Sequence, residues 1–188
     1  MSTIELSCSC GKVKGEIQKF NISSCTRFSC CCDDCQSFSL HLKCHRKTLD
    51  QYGGTEILQV PISNIKITEG IGQIACIRLK PKGMYRWYSN CCMTPMGNSM
   101  GPEVPFFGVI HNFIENTLSH DDILGENRGY VQTKFAIRKV PVYQSRKPIL
   151  IFIRIIYKII NWKLQGLNKP SVFFDANKRP IINPKVIG

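Results

Sequence analysis

No cysteine follows Cys92 in this 188-residue sequence, and the last 55 residues hold a single acidic side chain, Asp175. Long apolar runs are missing too. The uninterrupted stretch 149–153 is five residues long and basic residues recur after it, which argues against a membrane-spanning helix. The opening, MSTIELSCSCGKVKG, has no apolar segment after a basic start, so no secretory signal is expected. Polar low-complexity sequence is absent and 43% of residues are hydrophobic, which excludes an intrinsically disordered chain. These absences leave a globular protein, expected in the reducing cytoplasm. Clustered thiols there are more readily metal ligands than disulfide partners.

What the chain does have is eleven cysteines, all within its first 92 residues. The net charge of +12 is equally lopsided. Residues 1–133 carry 13 basic and 12 acidic side chains, whereas residues 134–188 carry 12 basic and one acidic, a net of +11. The division predicts a metal-thiolate domain over residues 1–140 and a basic extension over 141–188.

The first part reads as strands and turns, a mainly β fold. Strand-like stretches are expected within 4–17, 55–67 (interrupted by Pro61), 73–79, 84–88, 106–110 and 131–140, with Gly, Pro and Asn between them.

Two cysteine constellations stand out. Cys30, Cys32 and Cys35, in FSCCCDDCQS, have a C-x-C-x-x-C spacing that lets one tight turn present three thiolates to a zinc ion. Three thiolates leave a fourth position for water, a substrate thiol or another residue, with Cys31 and Cys25 the nearby candidates. The second constellation pairs Cys8 and Cys10, in CSCG, with Cys91 and Cys92, in YSNCCMTPMGN. A knuckle joined to a distant cysteine pair is how a structural zinc staples remote strands. Adjacent strand residues face opposite sides, so Cys91 and Cys92 would share one ion only where the backbone departs from a regular strand. The alternative is that one of them is a core thiol.

Together these motifs resemble the glutathione-dependent formaldehyde-activating enzyme family, which includes centromere protein V. That family shows C-x-C-G, then C-x-C-x-x-C, then C-x-x-C-G-T. The corresponding elements are Cys8, Cys10 and Gly11, then Cys30, Cys32 and Cys35, then residues 89–94, and the resemblance spans about residues 4–120. It implies a β-tent zinc-binding domain, an open zinc on Cys30, Cys32 and Cys35, and a closed structural zinc on Cys8, Cys10 and the third motif, so one or two zinc ions per chain. The sequence departs from the family at Ser89, where the first cysteine of the third motif belongs, at Met93, where its glycine belongs, and at Cys31. Cys92 aligns with the second cysteine of that motif, and either Cys91 supplies the missing fourth ligand from one residue away or the structural site is lost.

The resemblance also implies carbon-sulfur lyase chemistry, with glutathione as a substrate and small thiol or aldehyde adducts as ligands. The rival expectation is a non-catalytic, zinc-stabilised binding module. A three-thiolate zinc suits either thiolate binding or carbonyl polarisation. Asp33 and Asp34 read as turn or solvated carboxylates, and His111 as a hydrogen-bonded β-domain histidine, so none is assigned as a base. Lys43, Arg46, Lys47, Arg78, Lys80, Lys82 and Arg86 are candidate partners for a ligand carboxylate, with none singled out.

The extension carries KPILIFIRIIYKIINWKLQG, in which Arg154, Lys158, Asn161 and Gln165 recur at helical spacing and form one polar stripe on an otherwise apolar helix. Pro148 starts it and Gly166 ends it. Flanking Arg146, Lys147, Lys163 and Lys169 suit an anionic membrane surface, giving a peripheral contact through 149–165. A helix docked on the β domain or on a second copy, as a homodimer, satisfies the same pattern. The segment lacks the interleaved basic and aromatic residues of a nucleic-acid arm, which argues against nucleic acid as partner.

Overall fold

The computed structural model describes residues 2–115, 120–145 and 148–187. In chain order its elements are β1 (Ser2–Ser7), β2 (Lys14–Phe20), β3 (Thr26–Cys30), α1 (Asp33–His41), α2 (His45–Thr48), β4 (Thr55–Val60), β5 (Ile65–Glu69), β6 (Ile74–Arg78), β7 (Tyr85–Ser89), β8 (Thr94–Ser99), β9 (Phe107–Ile110), α3 (His120–Leu124), β10 (Tyr130–Val131), α4 (Pro148–Leu164) and β11 (Lys185–Val186). Among the described residues the protein is mainly β, with two sheets and few helices. Among the described residues no helix is long and apolar enough to cross a membrane.

One sheet has three antiparallel strands in the order β1-β2-β5, and the other has eight in the order β10-β3-β4-β9-β8-β7-β6-β11. The interior pairs of the larger sheet are antiparallel, and the two short edge strands, β10 on β3 and β11 on β6, are parallel. Pro61 explains how one apolar stretch serves both sheets. It ends β4, a single 3-10 turn follows at Ile62–Asn64, and the chain re-enters as β5 against β2.

The expected strand at 131–140 is a correction. Only Tyr130–Val131 is extended, because Gln132 adopts φ +57° and turns the chain into the 3-10 turn Thr133–Phe135. Beyond it, the Ile137 amide donates to the Tyr52 carbonyl instead of joining a ladder (3.0 Å). Strands β3 and β8 lay outside the expected stretches. β8, TPMGNS, is buried throughout yet has almost no β-branched or alternating character.

The main core lies between the sheets around Trp87, Phe107, Phe113, Ile17 and Leu58. It does not stop at residue 140. Phe173 is fully buried, stacks on Phe107 (centroids 4.5 Å, planes 10°) and lies 4.8 Å from Trp87. Phe174 meets both Trp87 and Tyr85 edge-on. β11 then covers the open edge of β6, and the Ile187 amide donates to the Arg78 carbonyl (3.0 Å). The charge boundary in the sequence is therefore not a boundary in the packing. Rings that bury little polar surface hold the C-terminal segment while its cations stay on the outside.

Candidate metal centres

The Cys8-to-Val13 turn between β1 and β2 and the hairpin turn between β7 and β8 carry the first centre. Gly11 takes φ +73° and its amide donates to the Cys8 carbonyl (2.8 Å), so the turn folds back and brings Cys8 and Cys10 side by side. Cys91 and Cys92 lie in the tight turn after β7, not on a strand, so strand alternation does not separate them. All four sulfurs fall within 4.8 Å of one another. Individual separations are 3.6 Å for Cys8–Cys10, 3.8 Å for Cys8–Cys91, 3.3 Å for Cys10–Cys91 and 3.9 Å for Cys91–Cys92. Four sulfurs held about 2.3 Å from a tetrahedral zinc would sit about 3.8 Å apart. The donor set fits that ion.

The surroundings favour a thiolate at Cys92, whereas burial pushes the Cys91 thiol up to about 12. The Val13 amide donates to Cys8 Sγ (3.2 Å), and the Ser89 and Thr94 hydroxyls lie 3.2 and 3.1 Å from Cys92 Sγ. Burial works against ionisation at Cys92, but hydrogen bonds from Ser89, Ser9 and Thr94 outweigh it and bring this thiol down to about 5. Ser89 is thus a hydrogen-bonding neighbour of the thiol cluster and not one of its donors. Met93, next in the turn, sits at φ +55°, a left-handed conformation that favours glycine.

The second centre forms where β3 runs into α1. Cys30 ends the strand, Cys32 is the residue that caps the helix, and Cys35 lies in its first turn, with its amide donating to the Cys32 carbonyl (3.0 Å). These three sulfurs are also within 4.8 Å of one another. Cys31 and Cys25 do not join them. Cys31, between two ligands of an extended stretch, lies near Asp50, while Cys25 belongs to the main core beside Ser24. Among the described residues the group therefore holds three thiols.

The electrostatics of the trio would suit a cation. Donation from Cys30 and Cys35 draws Cys32 down to about 2 despite its burial, and the anion at Cys32 drives Cys30 far up. At Cys35 the hydrogen bond with Cys30 is the largest single influence and lowers it, but Cys32 and burial together hold it up at about 12. One thiolate can exist there unaided; three need a metal cation between them.

Arg86 is the residue that sequence reasoning left undistinguished among seven cations. It is buried on β7, with Nη1 4.0 Å from Cys35 Sγ and 3.2 Å from Asn98 Oδ1, and Nη2 3.4 Å from Asp34 Oδ2. Asp34 is also paired with Lys80 (3.6 Å), so it is not the freely solvated carboxylate its loop position implied. A dication on three thiolates would leave a net negative charge, which the buried guanidinium would offset. His111 lies instead beside the Lys47 carbonyl (3.4 Å).

Comparison with known proteins gives one decisive match. A model for a family of unknown function, DUF6151, matches residues 1–182. The chain belongs to the DUF6151 family. The DUF6151 match runs through both cysteine constellations and past residue 140. No curated protein matches the chain. Among solved structures, a crystal structure of a Rhodobacter sphaeroides protein is similar at 16% identity and a TM-score of 0.44, covering 68% of this chain and all of that one.

Proposed function

We propose that the protein is a two-zinc protein whose Cys8, Cys10, Cys91 and Cys92 site is structural and whose Cys30, Cys32 and Cys35 site binds small thiols or their aldehyde adducts. The observation that carries this reading is the difference in donor number: four sulfurs at tetrahedral separations in one centre and three in the other. Resemblance to the glutathione-dependent formaldehyde-activating enzymes points the same way, and the left-handed Met93 occupies the place of that family's glycine. The β-tent name and carbon-sulfur lyase activity on glutathione adducts belong to this proposal.

Bound zinc would supply Lewis acidity and affinity for a ligand thiolate. The chain's own residues do the rest. Cys30, Cys32 and Cys35 hold the ion from one short segment, so the site forms without bringing remote strands together. Arg86 keeps positive charge beside Cys35 and favours an anionic ligand. Asp34, the carboxylate at the site, is engaged by Arg86 and Lys80 and acts as an orienting group rather than a free base. That arrangement favours adduct binding over proton transfer by the chain, and a non-catalytic module remains the second reading on the same ground.

Cobalt substitution tests it. The cobalt-loaded chain is titrated with glutathione, then with glutathione and formaldehyde together. The ligand-field bands of one cobalt are expected to change and those of the other to stay fixed, with the response gone in Cys32→Ser and weakened in Arg86→Gln. Unchanged bands at both cobalts would refute an accessible site.

A further inference from the structure

The helix α4 is apolar on its docked side and again on the side that faces away from the protein. Its docked side carries the buried Ile151 and Trp162, and Phe152 and Ile155 pack on the cluster that holds Ile151. The polar stripe flanks that side: Arg154 Nη2 donates to the Ser23 and Cys25 carbonyls (3.3 and 3.4 Å) and Lys158 Nζ to the Ser23 carbonyl (2.6 Å). At about 100° per residue, the side directly opposite the docked one is an arc of about 120°. Ile149, Leu150, Ile153, Ile156, Tyr157, Ile160 and Leu164 fill it, each between 54% and 82% exposed. Just before the helix, Val142 and Tyr143 are exposed as well. Polar residues face the protein's own carbonyls while apolar ones face outward, which a water-facing surface does not explain.

The charges around this arc decide its occupant. Exposed Lys163 lies on its border, and exposed Lys134, Arg138, Lys139 and Lys169 lie in the segments that lead into and out of the helix. Arg146 and Lys147 lie outside the described residues. Leu150, Ile153, Tyr157, Ile160 and Leu164 also have the alternating three-and-four spacing of a coiled-coil seam, so a second copy is the rival. Two copies would bring a net of +11 against +11 with no acidic side chain on either helix to pair across the seam. A lipid surface of opposite charge has no such penalty.

We propose that α4 lies in the interface of an anionic lipid bilayer, its outward apolar arc among the upper acyl chains and the neighbouring lysines and arginines on the headgroups. The inference uses no thiol and stands apart from the zinc reading. Its test is flotation of the full zinc-loaded chain with vesicles of phosphatidylcholine alone or mixed with phosphatidylglycerol. Binding is expected to the mixed vesicles, to weaken with added salt, and to fall about tenfold or more in Ile153→Asn/Ile160→Asn, because each lost apolar side chain forfeits interfacial burial. Both substitutions point outward, so melting temperature and zinc content should not change. Tyr157→Trp gives a second readout, a blue shift of its emission on mixing with anionic vesicles. Failure to float at low ionic strength overturns the proposal, as does equal binding by the double variant. So does a dimer dispersed by that variant in a chain that ignores vesicles, which would assign the face to a second copy.

Discussion

Replacing Phe173 by alanine tests whether the C-terminal segment belongs to the fold. The ring is fully buried, stacked on Phe107 and in contact with Trp87, and Trp87 lies on the same strand as Arg86 and Ser89. Truncating a core phenylalanine costs about 3–5 kcal/mol. The upper part of that range is expected, because two aromatic contacts are lost and the cavity opens beside rigid rings. For a chain of this size each kcal/mol moves the melting temperature by about 2–4 °C, so the shift should be roughly 10–20 °C downward. The assay is thermal unfolding of the zinc-loaded protein followed by circular dichroism, with Val142→Ala as control. Val142 is 84% exposed and its loss should stay within about 0.5 kcal/mol. A shift under about 3 °C for Phe173→Ala would mean the segment docks without contributing to the core, and the 1–140 unit would then stand by itself.

Three further outcomes are expected. Elemental analysis should find two zinc ions per chain, falling to one in Cys32→Ser with little loss of stability, whereas Cys10→Ser should lose the other ion and lower the melting temperature far more; equal effects would remove the distinction between the centres. Met93→Gly should stabilise the protein by up to about 1 kcal/mol in denaturant unfolding, since it relieves a left-handed residue at φ +55°, and destabilisation would show that the Met93 side chain matters more than its backbone. Burial pushes the Cys76 thiol from its ordinary 9.0 up to about 12, so the folded state keeps a proton that the unfolded chain loses, and the stability this provides is complete below about pH 9 and declines from there toward pH 12; Cys76→Val should flatten that part of the stability curve, and an unchanged slope would refute the assignment.

The thiol clusters were legible in the sequence because their cysteines are mostly local. C-x-C-x-x-C is short enough that a strand end and the first helical turn bring Cys30, Cys32 and Cys35 together without help from the rest of the chain. The other centre joins two such local pieces, and its apparent obstacle, the adjacent Cys91 and Cys92, came from treating the pair as strand residues. Asn90 and the left-handed Met93 make that stretch a turn instead. Arg86 had no such local signal. Its partners Asp34, Cys35 and Asn98 reach it only through the order of strands in the larger sheet, which puts β8 beside β7 and α1 over them.

The packing of the C-terminal segment was not legible for a related reason. Charge composition reports where cations are, and cations sit on the outside of domains and appendages alike; it says nothing about two adjacent phenylalanines at 173 and 174 that enter a distant core. The helix before them shows the same limit. Periodicity separated a polar stripe from an apolar remainder, and the ordinary inference places the apolar side inward. Here the apolar remainder is wide enough to supply both a docked side and an outward one, while Arg154 and Lys158 satisfy carbonyls of the 3-10 turn Ile22–Ser24 and the residue after it. A helix that is apolar nearly all round needs two neighbours. The fold provides one of them, and the cations that flank the helix in the sequence are the ground on which an anionic lipid surface is proposed as the second.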